Sequence, residues 1–390
     1  SRGVLLEDVA EVVQVPRVAP ADSFVLHAPL ELLARVAVLD HVEESVVPAA
    51  EARIAAIAAV YEAFGPGVDT PPPLDGTPDG LAAALGQAIA AGDLAATDRA
   101  AAALAAGASV PDLRRLLAPV LVDSLGAAAH APIFLRLLRC VDGADGRSVR
   151  SMLRPLAREI ARNPGWRLTW FDTVESVAAS SDDELDRALA AVPYLGVPGS
   201  DFIHPLMDQA ERSGVASAVL TTALPDSIAA VLQSVQRVAA RSMVQEDTQY
   251  APYGWTHCLT MPQAVCSVAD ECTDPRRALF VAATHVVGFR AAFAPTPLDL
   301  EWEPTVPNVD PVAALDHDPD LAAAAAWHCD RARRTALWRA LITRAAQHED
   351  AHFVKYVEAC RWAASGDPGF EHGYLAAAAK LAAYWHRSTL

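Results

Sequence analysis

The stretch LAAALGQAIAAGDLAATDRAAAALAAGA, residues 81–108, decides the fold class. Alanine and leucine, which lose least on entering a helix, fill it almost completely. Its apolar residues recur at spacings that fall on one side of a 3.6-residue turn. Two helices are therefore predicted, over 79–91 and 94–106, and the stretch shows helix-favouring composition rather than a repeat of fixed period.

The same pattern continues outward along the chain. Alternating β-branched runs are almost absent, and no βαβ rhythm appears. Further helices are predicted at about 28–47, 48–63, 111–127, 131–141, 147–163, 183–192, 203–213, 225–243, 260–270, 275–293, 320–346, 348–364 and 371–387. The proline- and glycine-rich segment 65–78 and the segment 296–319, containing EWEPTVPNVDPVAALDHDPD, are expected surface loops. Neither is long enough to link independent domains, so the expectation is an all-α protein with one large multi-helix domain spanning 1–390.

Charge limits the partners. Lys plus Arg number 31 against 48 Asp plus Glu, a net charge of −17, which repels nucleic acid and anionic membrane surfaces. The six cysteines form no C-x-x-C pair and suit buried thiols in a reducing compartment. The first residues lack the pattern of a secretory signal, and no apolar run reaches the roughly 18 residues of a membrane span. A cytoplasmic protein without nucleic-acid or membrane partners is expected.

Chemistry concentrates in histidines. HEDAHFVKYVEAC, residues 348–360, places His348, His352 and Lys355 at i, i+4 and i+7, one face of a helix over 348–364. Solvated side chains, chance spacing and a metal or catalytic site all fit that pattern. His27 opens HAPLELLARVAVL, His130 opens HAPIFLRLLRC, and His257 lies in GWTHCLTMPQAV, each followed within five residues by a proline suited to a first helical turn. Singly each fits a cap or a satisfied core residue. Five imidazoles on four apolar helices are costly to bury without partners, and a metal ion would satisfy several at once. An imidazole-rich donor set suits iron, copper or zinc rather than calcium or magnesium.

Lys355 could be exposed, could act as an electrostatic or proton-donating group, or, if buried beside a metal, could be carboxylated and present a carbamate oxygen. Asp350 and Glu358 could orient imidazoles as acceptors. His285, on an apolar helix, and His204 are weaker candidates, while His41, His317, His372 and His386 lie among polar neighbours. Signatures of a Rossmann site, a P-loop, a zincin and a serine hydrolase are missing, and no pair of E-x-x-H motifs marks a di-iron bundle.

Four blocks, HAPLELLARVAVL, LAPVLVDSLGAAAHAPIFLRLLRCV, THCLTMPQAV and HEDAHFVKYVEACRWAASGDP, in this order over residues 24–380, resemble the questin oxidase-like family. The resemblance implies a mainly helical oxygenase, whose fungal members open anthraquinone rings oxidatively in polyketide pathways and are described as NADPH-dependent. It maps the family's histidines onto His27, His130 and His257, and its H-x-x-x-H-x-x-K onto His348, His352 and Lys355. Two positions depart from the pattern: Leu26 stands where an asparagine often precedes the first histidine, and His130-Ala131-Pro132-Ile133-Phe134 stands for H-G-L-I-R.

The resulting expectation is a non-heme iron oxygenase, mono- or dioxygenase, with Fe(II) on His27, His130, His257 and His352, and on Lys355 if it is carboxylated. Lys355 and His348 are candidate catalytic groups, His348 as acid or base. Tyr250, Tyr253, Trp255 and Phe134 are the expected walls for a flat aromatic or quinone-type substrate that reacts with dioxygen, with NADPH as a possible reductant. A flavin- and NADPH-dependent monooxygenase and a non-catalytic helical binding protein are the alternatives.

Overall fold

The alanine-rich stretch folds as two antiparallel helices, Pro78–Ala90 and Leu94–Gly107. Each starts at a side-chain cap: Thr77 accepts from Gly80 N–H, and Asp93 from Ala95 and Ala96 N–H. Between them Gly92 turns the chain at φ +67°, where a side chain would be strained. The computed structural model describes residues 2–141, 145–174, 182–200 and 202–388. Among these, helices pack around one continuous apolar core with no sheet; the pairings Arg17–Gly67 and Ser124–Arg167 are isolated bridges. No helix of the described residues is long and apolar enough to cross a membrane.

Several expected helices differ in extent. The one expected at 28–47 runs over Ser23–Val38, because Asp22 accepts from Val25 N–H and caps it a turn earlier. The one at 147–163 is split into Arg147–Ser151 and Leu153–Arg162, and 320–346 into Pro319–Trp327 and Arg331–Gln347, the second opened by an Asp330 cap. Arg2–Val13 and Val215–Ala223 are helices that the pattern does not announce. Segment 65–77 is an extended loop as expected, and 296–319 contains only the short helix Pro311–Ala314 before Pro319.

Four helices position the histidines: Ser23–Val38, Ala131–Cys140, Thr256–Cys266 and Ala351–Gly366. The first packs on the second and fourth, and the third packs on the same two, so the four close a ring. Polar ties hold this ring in register. The Arg136 guanidinium donates to both Glu358 oxygens at 2.7 and 3.1 Å, joining the second helix to the fourth. Gln263 donates to the Ala359 carbonyl at 3.0 Å, and Arg35 to the carbonyls of Ala346 and His348 at 2.8 and 2.6 Å.

Candidate metal centre

Each of the four helices contributes one buried imidazole to the middle of the ring: His27, His130, His257 and His352. Their ring centroids lie close: His27 is 4.6 Å from His130 and 4.4 Å from His352, and His257 is 5.3 Å from His130 and 4.9 Å from His352. Ligand atoms of His27, His130 and His257 all lie within 4.8 Å of one another. At that limit an ion midway between two of them would sit about 2.4 Å from each, against roughly 2.1 Å for a metal–imidazole bond.

Tautomers follow from the partners. His27 Nδ1 faces the Ser23 carbonyl and His257 Nδ1 the Tyr253 carbonyl, four residues back in each case. His130 Nδ1 is 2.7 Å from the Ala128 carbonyl, and His352 Nδ1 2.9 Å from Asp350 Oδ1. All four partners only accept, so every Nδ1 carries the proton and every Nε2 presents a lone pair. The four Nε2 atoms are buried without a partner among the described residues. Orienting oxygens behind the rings, with bare lone pairs aimed inward, form the arrangement that metal-binding histidines require.

Local structure is bent to achieve this. Ahead of His130, Ala127, Ala128 and Ala129 take the left-handed conformation, φ 50°, 49° and 56°, which disfavours L-residues by about 1–2 kcal/mol each. That turn aims the Ala128 carbonyl at the His130 ring. It is held down because Gly126 lies against the Ile160 backbone, where a Cβ would come within 2.9 Å of Cα. Ahead of His257, Ala251–Trp255 forms one π-helical turn, a feature common at functional sites. Asp350 caps the last helix by accepting from His352 N–H while also holding the His352 ring.

Burial, then the neighbouring Lys355, drives His27 and His352 well below the usual imidazole pKa. His130 falls likewise through burial and the nearby His27, and His257 is lowered to about 3 by burial and Lys355. Lys355 itself is buried with its Nζ unpartnered, and burial lowers its pKa to about 7. A neutral amine is therefore abundant there at neutral pH. The imidazoles are depressed relative to the unfolded chain, so folding releases their protons and acid must weaken the fold. Metal-free protein is expected to lose stability as pH falls from 6.5 downward, by up to about 1.4 kcal/mol per pH unit for each such histidine. Urea unfolding midpoints between pH 7 and 5 check this; a flat profile would contradict the neutral-imidazole assignment.

Other expected positions fall elsewhere. His348 does not share a helical face with His352, because Asp350 starts the helix at Ala351 and leaves His348 extended, at ψ 147°. Its Nδ1 accepts from Asp350 N–H at 3.0 Å, and its ring packs 4.8 Å from Trp385, away from the cluster. The prolines after His27 and His257 are not in first turns, since Pro29 and Pro262 lie inside their helices; Pro132 does occupy one. Of the four expected substrate walls only Tyr253 lines the cavity at the imidazoles. Tyr250, half-buried against the core, stacks on Phe293 at 4.2 Å, while Trp255 is fully buried and Phe134 is 1% exposed within the core. Glu358 pairs with Arg136 rather than with an imidazole. His285 is also buried, with its pKa lowered to about 4 by burial, but lies outside the cluster.

That cavity, of about 310 Å³, is bounded by the four imidazoles, Tyr253, Leu26, Ile203 and Phe202. Phe202 and Ala128 are lining residues that sequence spacing alone did not single out. Wider hollows of about 580 and 590 Å³, beside the Pro71–Pro73 loop and beside His41, gather no comparable set of buried lone pairs. Chemistry rather than volume therefore selects the site. Comparison of the chain with protein-family models, curated proteins and solved structures yields no match.

Proposed function

We propose that the chain is a non-heme iron oxygenase, acting with dioxygen on an electron-rich aromatic or quinone-type molecule, with His27, His130, His257 and His352 holding the metal. The observation that carries this reading is the set of four buried, unpartnered Nε2 atoms whose Nδ1 protons are already committed to fixed oxygens. An all-imidazole set admits iron, copper or zinc; iron is chosen on the resemblance to the questin oxidase-like family. Iron bound there would supply redox chemistry toward dioxygen.

The chain's own residues would do the rest. The cavity beside the imidazoles gives a ring access to them, and a bound ring would displace water from it. Tyr253, edge-on to His352 at 4.9 Å, forms one wall, and its hydroxyl donates to Asp350 at 3.2 Å, tying the wall to the acceptor that orients His352. Lys355, as a neutral buried amine, can attack carbon dioxide at Nζ, lose one proton and become a carbamate whose oxygen would be available to hold the metal. Uncarboxylated, it places a proton donor of pKa about 7 beside the imidazoles.

The test is anaerobic loading with ferrous iron followed by oxygen uptake with hydroquinones, with and without NADPH. Uptake dependent on both iron and the aromatic compound supports the reading. Near-stoichiometric zinc in the isolated protein with no oxygen uptake on iron loading would replace it with a hydrolytic or structural metal site.

A further inference from the structure

The cavity at the imidazoles has a second compartment that the proposed chemistry leaves unused. A hollow of about 350 Å³ adjoins it, and Ala21, Leu26, Ala128, Phe202 and Ile203 line both. The outer hollow is walled by Trp166, whose ring stacks on His204 at 4.1 Å with the planes 15° apart, and by Asn163 and Ser200. The Trp166 ring is 39% exposed and Phe202, at the waist, 71%, the latter a large apolar exposure on the rim shared by the two hollows. Neither compartment is lined by Arg or Lys among the described residues, while Asp22 borders the inner one and Glu159 the outer. In the outer compartment nucleotide phosphates would meet no lining Arg or Lys, and the −17 charge of the whole chain opposes them further.

We infer that the outer compartment is a recognition subsite for the distal part of an extended, uncharged, two-ring aromatic molecule. One ring lies among the imidazoles, the molecule passes the Phe202 waist, and the second ring packs on the Trp166–His204 stack with its polar substituent among Asn163, Ser200 and His204. Length and lack of charge, rather than an anionic group, then select the substrate. A His204 imidazole lowered by burial stays neutral and offers both a donor and an acceptor to a hydroxyl. Trp166 and His204 are specificity residues in this scheme, remote from the reacting atoms. The inference rests on the oxygenase reading only for which ring reacts; binding itself needs no metal.

Calorimetric titration of the isolated protein with phenol and with 4,4′-dihydroxybiphenyl tests it, with metal content measured on the same samples. The two-ring probe is expected to bind at least about tenfold more tightly than phenol. Trp166→Ala, at a half-exposed position that folding tolerates, should reduce that advantage at least about fivefold while phenol binding and metal content stay unchanged. Phe202→Ala should reduce it as well. Equal affinities for the two probes, no binding of either at millimolar concentration, or an advantage that survives both substitutions would overturn the inference. A protein that shows the advantage yet neither retains metal nor consumes oxygen would sink the oxygenase reading and leave the subsite standing.

Discussion

If the four imidazoles hold a metal as proposed, protein carrying His352→Ala is expected to lose it during purification, with binding weakened by at least about 100-fold relative to wild type. The reason is geometric. The His352 ring centroid approaches those of both His27 and His257 within 5 Å, and its Nε2 is one of four lone pairs that no group among the described residues satisfies. Removing an orienting partner alone typically weakens a metal site 10–100-fold, so Asp350→Asn should fall in that range and loss of the imidazole beyond it. His348→Ala supplies the contrast. The i, i+4 spacing of the two histidines in HEDAH invites equal roles, yet His348 faces Trp385 and should be replaceable with no change in metal content. Elemental analysis of the three variants and wild type side by side decides the matter. Stoichiometric metal in His352→Ala would mean that the tighter group of His27, His130 and His257 holds the ion alone.

The second large effect is on stability. Glu358→Ala should destabilise the fold by about 3–5 kcal/mol, because it leaves the Arg136 guanidinium charged and buried without its carboxylate. Burial acts to lower the Arg136 pKa, and Glu358 more than offsets it, so the residue stays charged. The pair also ties the His130 helix to the His352 helix, so the same change should slacken the metal site. Replacing both residues by apolar ones of similar size, Arg136→Met with Glu358→Leu, should restore much of the lost stability. Urea unfolding of Glu358→Ala and of the double variant measures this. A Glu358→Ala loss under about 1 kcal/mol would show that water reaches the pair and that the helices are not clamped there.

These two expectations also separate what could be read from the chain and what could not. The all-α class was legible in composition, because alanine and leucine at helical spacing stabilise helices locally, whatever they pack against. The four cluster histidines were legible as well, since buried imidazoles on apolar helices need partners. Their order in the sequence, 27, 130, 257 and 352, carries no distance information; only the closing of four helices into a ring brings them together. Spacing misplaced His348, because the i, i+4 rule holds only inside a helix and the Asp350 cap starts that helix three residues later than the hydrophobic pattern suggests. Tyr250, Trp255 and Phe134 were chosen for aromatic character beside a histidine, but which face of a helix or π-turn meets a cavity depends on what packs on the other side.

By itself, then, the sequence determined the helical class, the acidic surface and the imidazole donors. Tertiary structure decided which nitrogen of each imidazole is free, through carbonyls and a carboxylate placed by a left-handed alanine turn, a π-turn and a helix cap. It also decided that Phe202 lines the cavity at the imidazoles and that Trp166 lines the hollow beside it. Helix propensity and charge are properties of short segments, whereas a lone pair's direction and a cavity's wall are set by segments hundreds of residues apart.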